Sequence, residues 1–177
     1  MSVPDRNTFE TAYAGQPPWD IGRPQKAFRD AADQIAGSIL DAGCGTGENA
    51  LLFAAKGHQV AGIDFLDEPI QRAKQKAAER GLAATFLVMD ALALKELPEV
   101  FDSLIDSGLF HVFSDEDRRR YVEGLASVLK PGGKLFLLRS TCLKSDVIDT
   151  RPTIATATIV SSRHRLTTAR DNRAASR

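Results

Sequence analysis

Three glycines at alternate positions, Gly43, Gly45 and Gly47, stand directly behind an apolar run in ILDAGCGTGENALLF, residues 39–53. Backbone stripped of Cβ atoms can turn with positive φ and lets a ligand come close to its amides. A tight strand-to-helix turn needs one such residue; three at alternate positions point to a bound group. The spacing is not the G-x-G-x-x-G of dinucleotide-binding loops. Glu48, directly after the third glycine, is expected to repel a pyrophosphate seated at a helix N-terminus. A nucleoside-like ligand without phosphate fits better. Asp64 lies 21 positions beyond Gly43, where a carboxylate can accept hydrogen bonds from both hydroxyls of a ribose. Asp90 comes next along the same rim, where its carboxylate can meet an exocyclic amine while the backbone of Ala91 meets a ring nitrogen. Asp41, two residues before Gly43, either faces an ammonium group or orients the loop.

The elements that must position these residues alternate. PQKAFRDAADQIA (24–36) has Ala27, Phe28, Ala31, Ala32 and Ile35 at helical spacing, with Pro24 suited to the first turn. SILDA is a short buried strand ending in the glycine loop, and ENALLFAAKG a helix stopped by Gly57. QVAGID is a second strand. DEPIQRAKQKAAERG follows as a helix with Asp67 as cap, Pro69 in its first turn and Gly81 as terminator. ATFLVMD and FDSLID are the third and fourth strands. SDEDRRRYVEGLASVLKPGG is a helix capped by Ser114, and KLFLL is the fifth strand. Strands that read as continuous apolar runs between helices imply a doubly wound, Rossmann-like α/β fold with a mostly parallel sheet. Ligands of such sheets bind beyond the carboxyl ends of the strands, where the glycine loop lies.

With 177 residues the chain is about the size of one domain. Lys plus Arg and Asp plus Glu number 23 each, which leaves no field to hold a nucleic-acid backbone or an anionic membrane surface. Two cysteines, Cys44 and Cys142, are too few for a disulfide framework, and no Cys/His cluster has metal spacing. A reducing, cytoplasmic compartment is expected. No leader or membrane span is read from the chain.

The series Asp41-x-Gly43-x-Gly45-x-Gly47, then Asp64, then Asp90-Ala91, then LKPGGKLFLL resembles the class I S-adenosylmethionine-dependent methyltransferases over about residues 10–140. The resemblance implies S-adenosylmethionine as cofactor, with ribose on Asp64, adenine at Asp90 and Ala91, and the methionine part against the glycine loop. YAGQPPWDIGRP, residues 13–24, is similar to the PWD-x-G-R-P segment of the thiol, halide and thiopurine methyltransferase group, in which a tryptophan of the N-terminal segment lies over the cofactor. Trp19 takes that position here, where its indole can gain cation–π stabilisation from a sulfonium. Packing an arm onto the domain is its other reading, and Asp20 with Arg23 can form a local pair that fixes the arm.

Methyl transfer from a sulfonium is an in-line displacement that orientation and exclusion of water can accelerate. DSGLFHVF, residues 106–113, leaves the fourth strand beside the expected methyl position. Ser107 is placed to touch the cofactor, Phe110 and Phe113 to form an apolar acceptor pocket, and His111 to accept a proton. The residues after this strand are not the Asn-Pro-Pro-Tyr type found in methyltransferases acting on DNA or glutamine. A small acceptor (thiol, halide, phenol or heterocycle) is expected. A non-catalytic cofactor binder or truncated remnant, and a nicotinamide-dependent oxidoreductase, are the alternatives. Residues 1–143 are expected to form the cofactor-binding domain, with 1–36 as its N-terminal arm and lead-in helix. Residues 144–177 break the pattern: TIATATIV is their one strand candidate, and a poorly ordered tail is expected. The family's sixth and seventh strands, implied order 3-2-1-4-5-7-6, are expected to be missing or altered, leaving the fifth strand with less cover.

Overall fold

In a computed structural model that describes residues 6–139, 153–160 and 165–168, the apolar runs pair into one seven-stranded sheet. Its strands are β1 (Ile39–Ala42), β2 (Val60–Asp64), β3 (Thr85–Val88), β4 (Phe101–Ser107), β5 (Leu129–Arg139), β6 (Thr153–Val160) and β7 (Arg165–Thr168), in the order β3-β2-β1-β4-β5-β6-β7. The first five are parallel, as continuous apolar strands linked by helices require.

Helices α3 (Glu48–Ala54), α4 (Asp67–Glu79) and α5 (Asp115–Val128) fill three of the four connections between the parallel strands, and a 3-10 stretch, Ala91–Glu96, fills the one from β3 to β4. Period-two alternation divides the core between the two faces. Leu40, Ala42, Leu104 and Leu135 pack with Tyr121, Leu125 and Val128 of α5. Ile39, Ile105 and Phe136 belong with Phe28, Ala50, Leu51 and Phe53 on the other side. Each fully buried large apolar side chain contributes about 1.5–3 kcal/mol, so β1, β2 and β4 are held from both faces, whereas the edge strand β3 buries only Phe86 and leaves Leu87 and Val88 exposed. Ser114 caps α5 as expected, its Oγ accepting from the Asp117 amide at 3.1 Å.

Three local expectations need correction. The lead-in helix is shorter: α2 covers Lys26–Asp30, a 3-10 turn follows at Ala32–Gln34, and Pro24 lies before the N-cap Gln25. The Gln25 amide donates to Asn49 Oδ1 of α3 at 2.9 Å, a long-range bond that sets where the helix starts. Asp67 does not cap α4. Leu66 holds that position, its amide donates to Asp64 Oδ1 at 3.1 Å, and Asp67 instead accepts from Gln71 at 3.0 Å. An N-terminal helix, α1 (Arg6–Tyr13), was not anticipated.

The sheet ends in an altered way. β6, the TIATATIV run, pairs antiparallel with β5, Leu135 opposite Ala157 and Arg139 opposite Thr153, and β7 pairs antiparallel with β6. The order is thus 5-6-7 and not the family's 5-7-6. A β-branched run fits an open strand edge well, and β6 gives the fifth strand the partner it was expected to lack. The rest of the expected tail lies outside the described residues.

Candidate cofactor site

The carboxyl ends of β1, β2 and β4 bring three carboxylates together. Ala42 stands opposite Ile63 on one side and Asp106 on the other, so Asp41, Asp64 and Asp106 occupy neighbouring positions on adjacent strands. The glycine loop springs from the same edge. Gly43, Gly45 and Gly47 all have positive φ, 71°, 52° and 82°, and each has a neighbour where its Cβ would stand. At Gly43 that atom would meet Leu109 Cδ2 at 2.9 Å, and at Gly47 Ala73 Cβ at 2.8 Å. Both conformation and space therefore exclude side chains at these three positions.

Asp64 ties the loop to β2. Its Oδ2 accepts from the Gly45 amide at 3.1 Å and its Oδ1 from the Leu66 amide at 3.1 Å. Burial raises its carboxyl above the usual range against the pull of these amides. Each oxygen retains acceptor capacity beyond its one amide.

Asp41 is fully buried; Oδ2 accepts from the Ala50 amide of α3 at 3.1 Å, and Oδ1 has no hydrogen-bond partner among the described residues. Burial, then the Asp106 carboxylate, push its carboxyl up to about 8. Asp106, also fully buried, accepts from the Leu109 and Phe110 amides at 2.8 and 3.0 Å and from the Tyr121 hydroxyl at 3.0 Å. Burial moves it to about 6.

The N-terminal arm lies on this edge. The Tyr13 hydroxyl oxygen is 2.8 Å from where a Gly45 Cβ would be, and it accepts from Trp19 Nε1 at 3.2 Å. Burial holds the phenol protonated, well above its ordinary range. Trp19, 46% exposed, meets Phe9 and Tyr13 edge-on at 5.8 and 6.1 Å. Asp20 engages the loop rather than Arg23: its Oδ1 accepts from the Thr46 hydroxyl at 3.1 Å. Lys76 of α4 donates to the same Thr46 oxygen at 2.8 Å and pairs with Glu48 at 2.9 Å.

The remaining expected residues are more dispersed. Asp90 is exposed and accepts from the Leu92 amide at 2.8 Å; it adjoins Asp64 through the Met89 amide, which donates to the Asp64 carbonyl at 2.8 Å. Ala91 is buried and Ser107 half-buried at the end of β4. His111 is exposed in the 3-10 turn Leu109–Val112, edge-on to Phe110 at 5.6 Å. Phe110 and Phe113 are half-buried beside the α5 core, Phe113 tilted against Tyr121 at 5.0 Å. The expected repulsion between Glu48 and a pyrophosphate does not hold, because Arg80 takes both Glu48 oxygens at 2.9 and 3.0 Å and Lys76 adds a second positive charge. Against the pull of burial, these two cations keep that carboxyl below its ordinary range.

Sequence reasoning missed Tyr13 and Asp106 as members of the site. Tyr13 reaches Gly45 only through the fold of the arm, although it begins the YAGQPPW segment. Asp106 had a signal, an acid one residue before the end of an apolar strand, level with Ile63 and so one step short of Asp64 on β2.

A profile of the methyltransferase domain family matches residues 39–133, more than half of the chain, from β1 into β5. The chain belongs to the class I S-adenosylmethionine-dependent methyltransferases. The chain is 37% identical over 144 residues to the 2-heptyl-1-hydroxyquinolin-4(1H)-one methyltransferase of Mycobacteroides abscessus, with 75% of this chain and 63% of that protein covered. It is 29% identical over 143 residues to the probable thiol methyltransferase 2 of Arabidopsis thaliana, covering 78% and 63%. A solved structure described as the conversion of a disulfide bond into a thioacetal group during echinomycin biosynthesis shares 42% identity at a TM-score of 0.72, covering 76% of this chain and 61% of that one. The chain thus spans a little over three fifths of the length of these relatives.

The residues present fit the family's cofactor. An orphaned, buried carboxylate oxygen at Asp41 suits a cationic ligand, the loop turns through three positive-φ glycines, and Asp64 keeps acceptor capacity at the end of β2. Among the described residues no group of acids, histidines and cysteines could hold a metal ion, and no helix is long and apolar enough to cross a membrane.

Proposed function

We propose that the protein transfers a methyl group from S-adenosylmethionine to a small-molecule acceptor. The observation that carries this reading is the joint placement of the bare glycine loop, Asp64 and the unpaired Asp41 oxygen at one sheet edge. When bound, S-adenosylmethionine supplies a methyl group on a sulfonium, whose thioether leaving group needs no acid. Asp64 accepts from the ribose hydroxyls, Asp90 and the Ala91 backbone hold the adenine, Gly43 and Gly45 admit the methionine part, and Ser107 touches the cofactor. Asp41 supplies negative charge beneath the loop.

With the cofactor bound, Trp19, held through its bond to the Tyr13 hydroxyl, closes over the site with Tyr13 and excludes water, which strengthens every electrostatic contact beneath them. Phe110 and Phe113 form one apolar wall for the acceptor, and His111 can take its proton when the acceptor is a thiol or phenol. A small acceptor is supported by the hydroxyquinolone and thiol named for two of the relatives. The free, buried Cys44 thiol and a content of two cysteines support a reducing, cytoplasmic compartment.

The test is a ligand screen followed by turnover. S-adenosylmethionine and S-adenosylhomocysteine should raise the melting temperature, NADH should not, and a panel of thiols, phenols, halides and heterocycles should yield a methylated product. Stabilisation by NADH alone would overturn the cofactor. Stabilisation by S-adenosylmethionine with no product from any acceptor would favour a non-catalytic binder.

A further inference from the structure

Asp41 breaks the rule that buried polar atoms are paired. Its carboxyl is fully buried, with one amide partner for two oxygens. An ionised carboxylate in that setting is costly, and such a group normally keeps its proton or faces a positive charge. Among the described residues, the groups around it supply no such charge. From β4 it faces Asp106, from β2 Asp64, from the glycine loop Cys44, and beyond Asp106 the Tyr121 phenol of α5. From α3 it receives only the Ala50 amide. Lys76 and Arg80 are committed to Glu48. The cofactor of this family carries an ammonium and a sulfonium, the charge that is missing.

We propose that Asp41 is a proton-exchanging counter-charge of the cofactor site: it keeps its proton while the site lacks a cation and releases that proton to solvent when the cationic cofactor binds. The inference rests on the cofactor reading above. The bond that breaks is the carboxyl O–H, its electron pair stays on Asp41, and nothing is oxidised or reduced. Binding then has a proton stoichiometry. With the free carboxyl at about 8, nearly all of Asp41 is protonated at pH 6.5, while a ligand α-amino group, titrating at about 7.7–8.0, is still charged. Asp106, at about 6, is mostly ionised there and can add only a fraction of a proton. Affinity should rise about tenfold from pH 6 to pH 7, the limit for release of one proton.

Titration calorimetry at pH 6.5 in buffers of different ionisation enthalpy tests this. The probes are S-adenosylmethionine, S-adenosylhomocysteine and the uncharged 5′-methylthioadenosine. Release of about one proton with each of the first two, little with the third, and from Asp41→Asn no more than the fraction Asp106 can supply is the expected result. Equal release with all three probes, or no release with any, overturns the proposal while leaving the cofactor assignment standing. Failure of all three to bind overturns both. Should Asp41→Asn not fold, carboxyl-carbon NMR of the wild-type protein decides the matter. The Asp41 resonance should titrate near pH 8 in the free protein and be that of the ionised form at pH 6.5 with S-adenosylhomocysteine; an ionised Asp41 in the free protein at pH 6.5 is the contrary outcome.

Discussion

Trp19 donates its indole N–H to the Tyr13 hydroxyl at 3.2 Å, and that hydroxyl lies over the bare backbone of Gly45, 2.8 Å from where a Cβ would be. The arm and the glycine loop are thus one unit. Whatever binds at Gly45 must either share the space with Tyr13 or move it.

Trp19 is the chain's one tryptophan, so tryptophan emission, excited selectively over tyrosine, reports on the arm alone. Addition of S-adenosylhomocysteine is expected to shift the emission and to slow limited proteolysis near Gly15, because a lid orders over its ligand. Spectra and cleavage rates that do not respond to a ligand shown to bind would rule out a closing arm.

Thr46→Val removes the hydroxyl that donates to Asp20 and accepts from Lys76. Of these two bonds the one to Asp20 holds the arm, which should loosen at a cost of about 1.5–3 kcal/mol, the scale of a hydrogen bond to a charged group. The expected readout is faster proteolysis near Gly15 with little loss of global stability. Asp20→Ala should behave the same way; opposite behaviour of the two variants would show that the bond does not hold the arm.

Asp64→Ala is expected to weaken S-adenosylhomocysteine by about 1.5–3 kcal/mol, the scale of hydrogen bonds to a charged acceptor. Asp64→Asn should fall between wild type and alanine, because its amide can satisfy only one of the Gly45 and Leu66 N–H groups. Calorimetry giving the alanine variant wild-type affinity would remove Asp64 from the ribose.

Gly45→Ala combines a strained φ of 52° with a Cβ 2.8 Å from the Tyr13 hydroxyl. A stability loss of about 1–3 kcal/mol is expected, visible as a lower urea midpoint. Tyr13→Ala should restore part of it, since the steric conflict disappears while the backbone strain remains. No rescue in the double variant would mean that Tyr13 yields freely.

Asp41 and Asp106 also make stability depend on pH. Their folded values of about 8 and about 6 lie above the ordinary carboxyl value of 3.8, so between that value and each raised one the folded state binds more protons than the unfolded. Stability without ligand therefore falls as pH rises through this window. Glu48, held below its ordinary value, acts in the opposite sense and loses its contribution only in acid. Urea midpoints should drop from pH 5 to pH 8, and less steeply in Asp41→Asn; a midpoint that rises over this interval would contradict the burial argument.

Local chemistry determined much of this protein. Continuous apolar runs between amphipathic ones specified parallel strands and helices, because side-chain period follows backbone geometry. Gly43, Gly45 and Gly47 marked the loop, because their φ values suit no other residue well. Asp64 was legible from its position behind a strand. The tertiary structure alone decided what depends on approach between distant segments. Tyr13 reaches Gly45 through the turn of the arm, and Asp20 finds Thr46 instead of Arg23. Glu48 loses its influence on the loop to Lys76 and Arg80, which a helical path places nearby. The orphaned oxygen of Asp41 exists because β1 is central and both of its flanks are covered. Burial is a property of the assembled sheet, and no spacing along one chain segment encodes it.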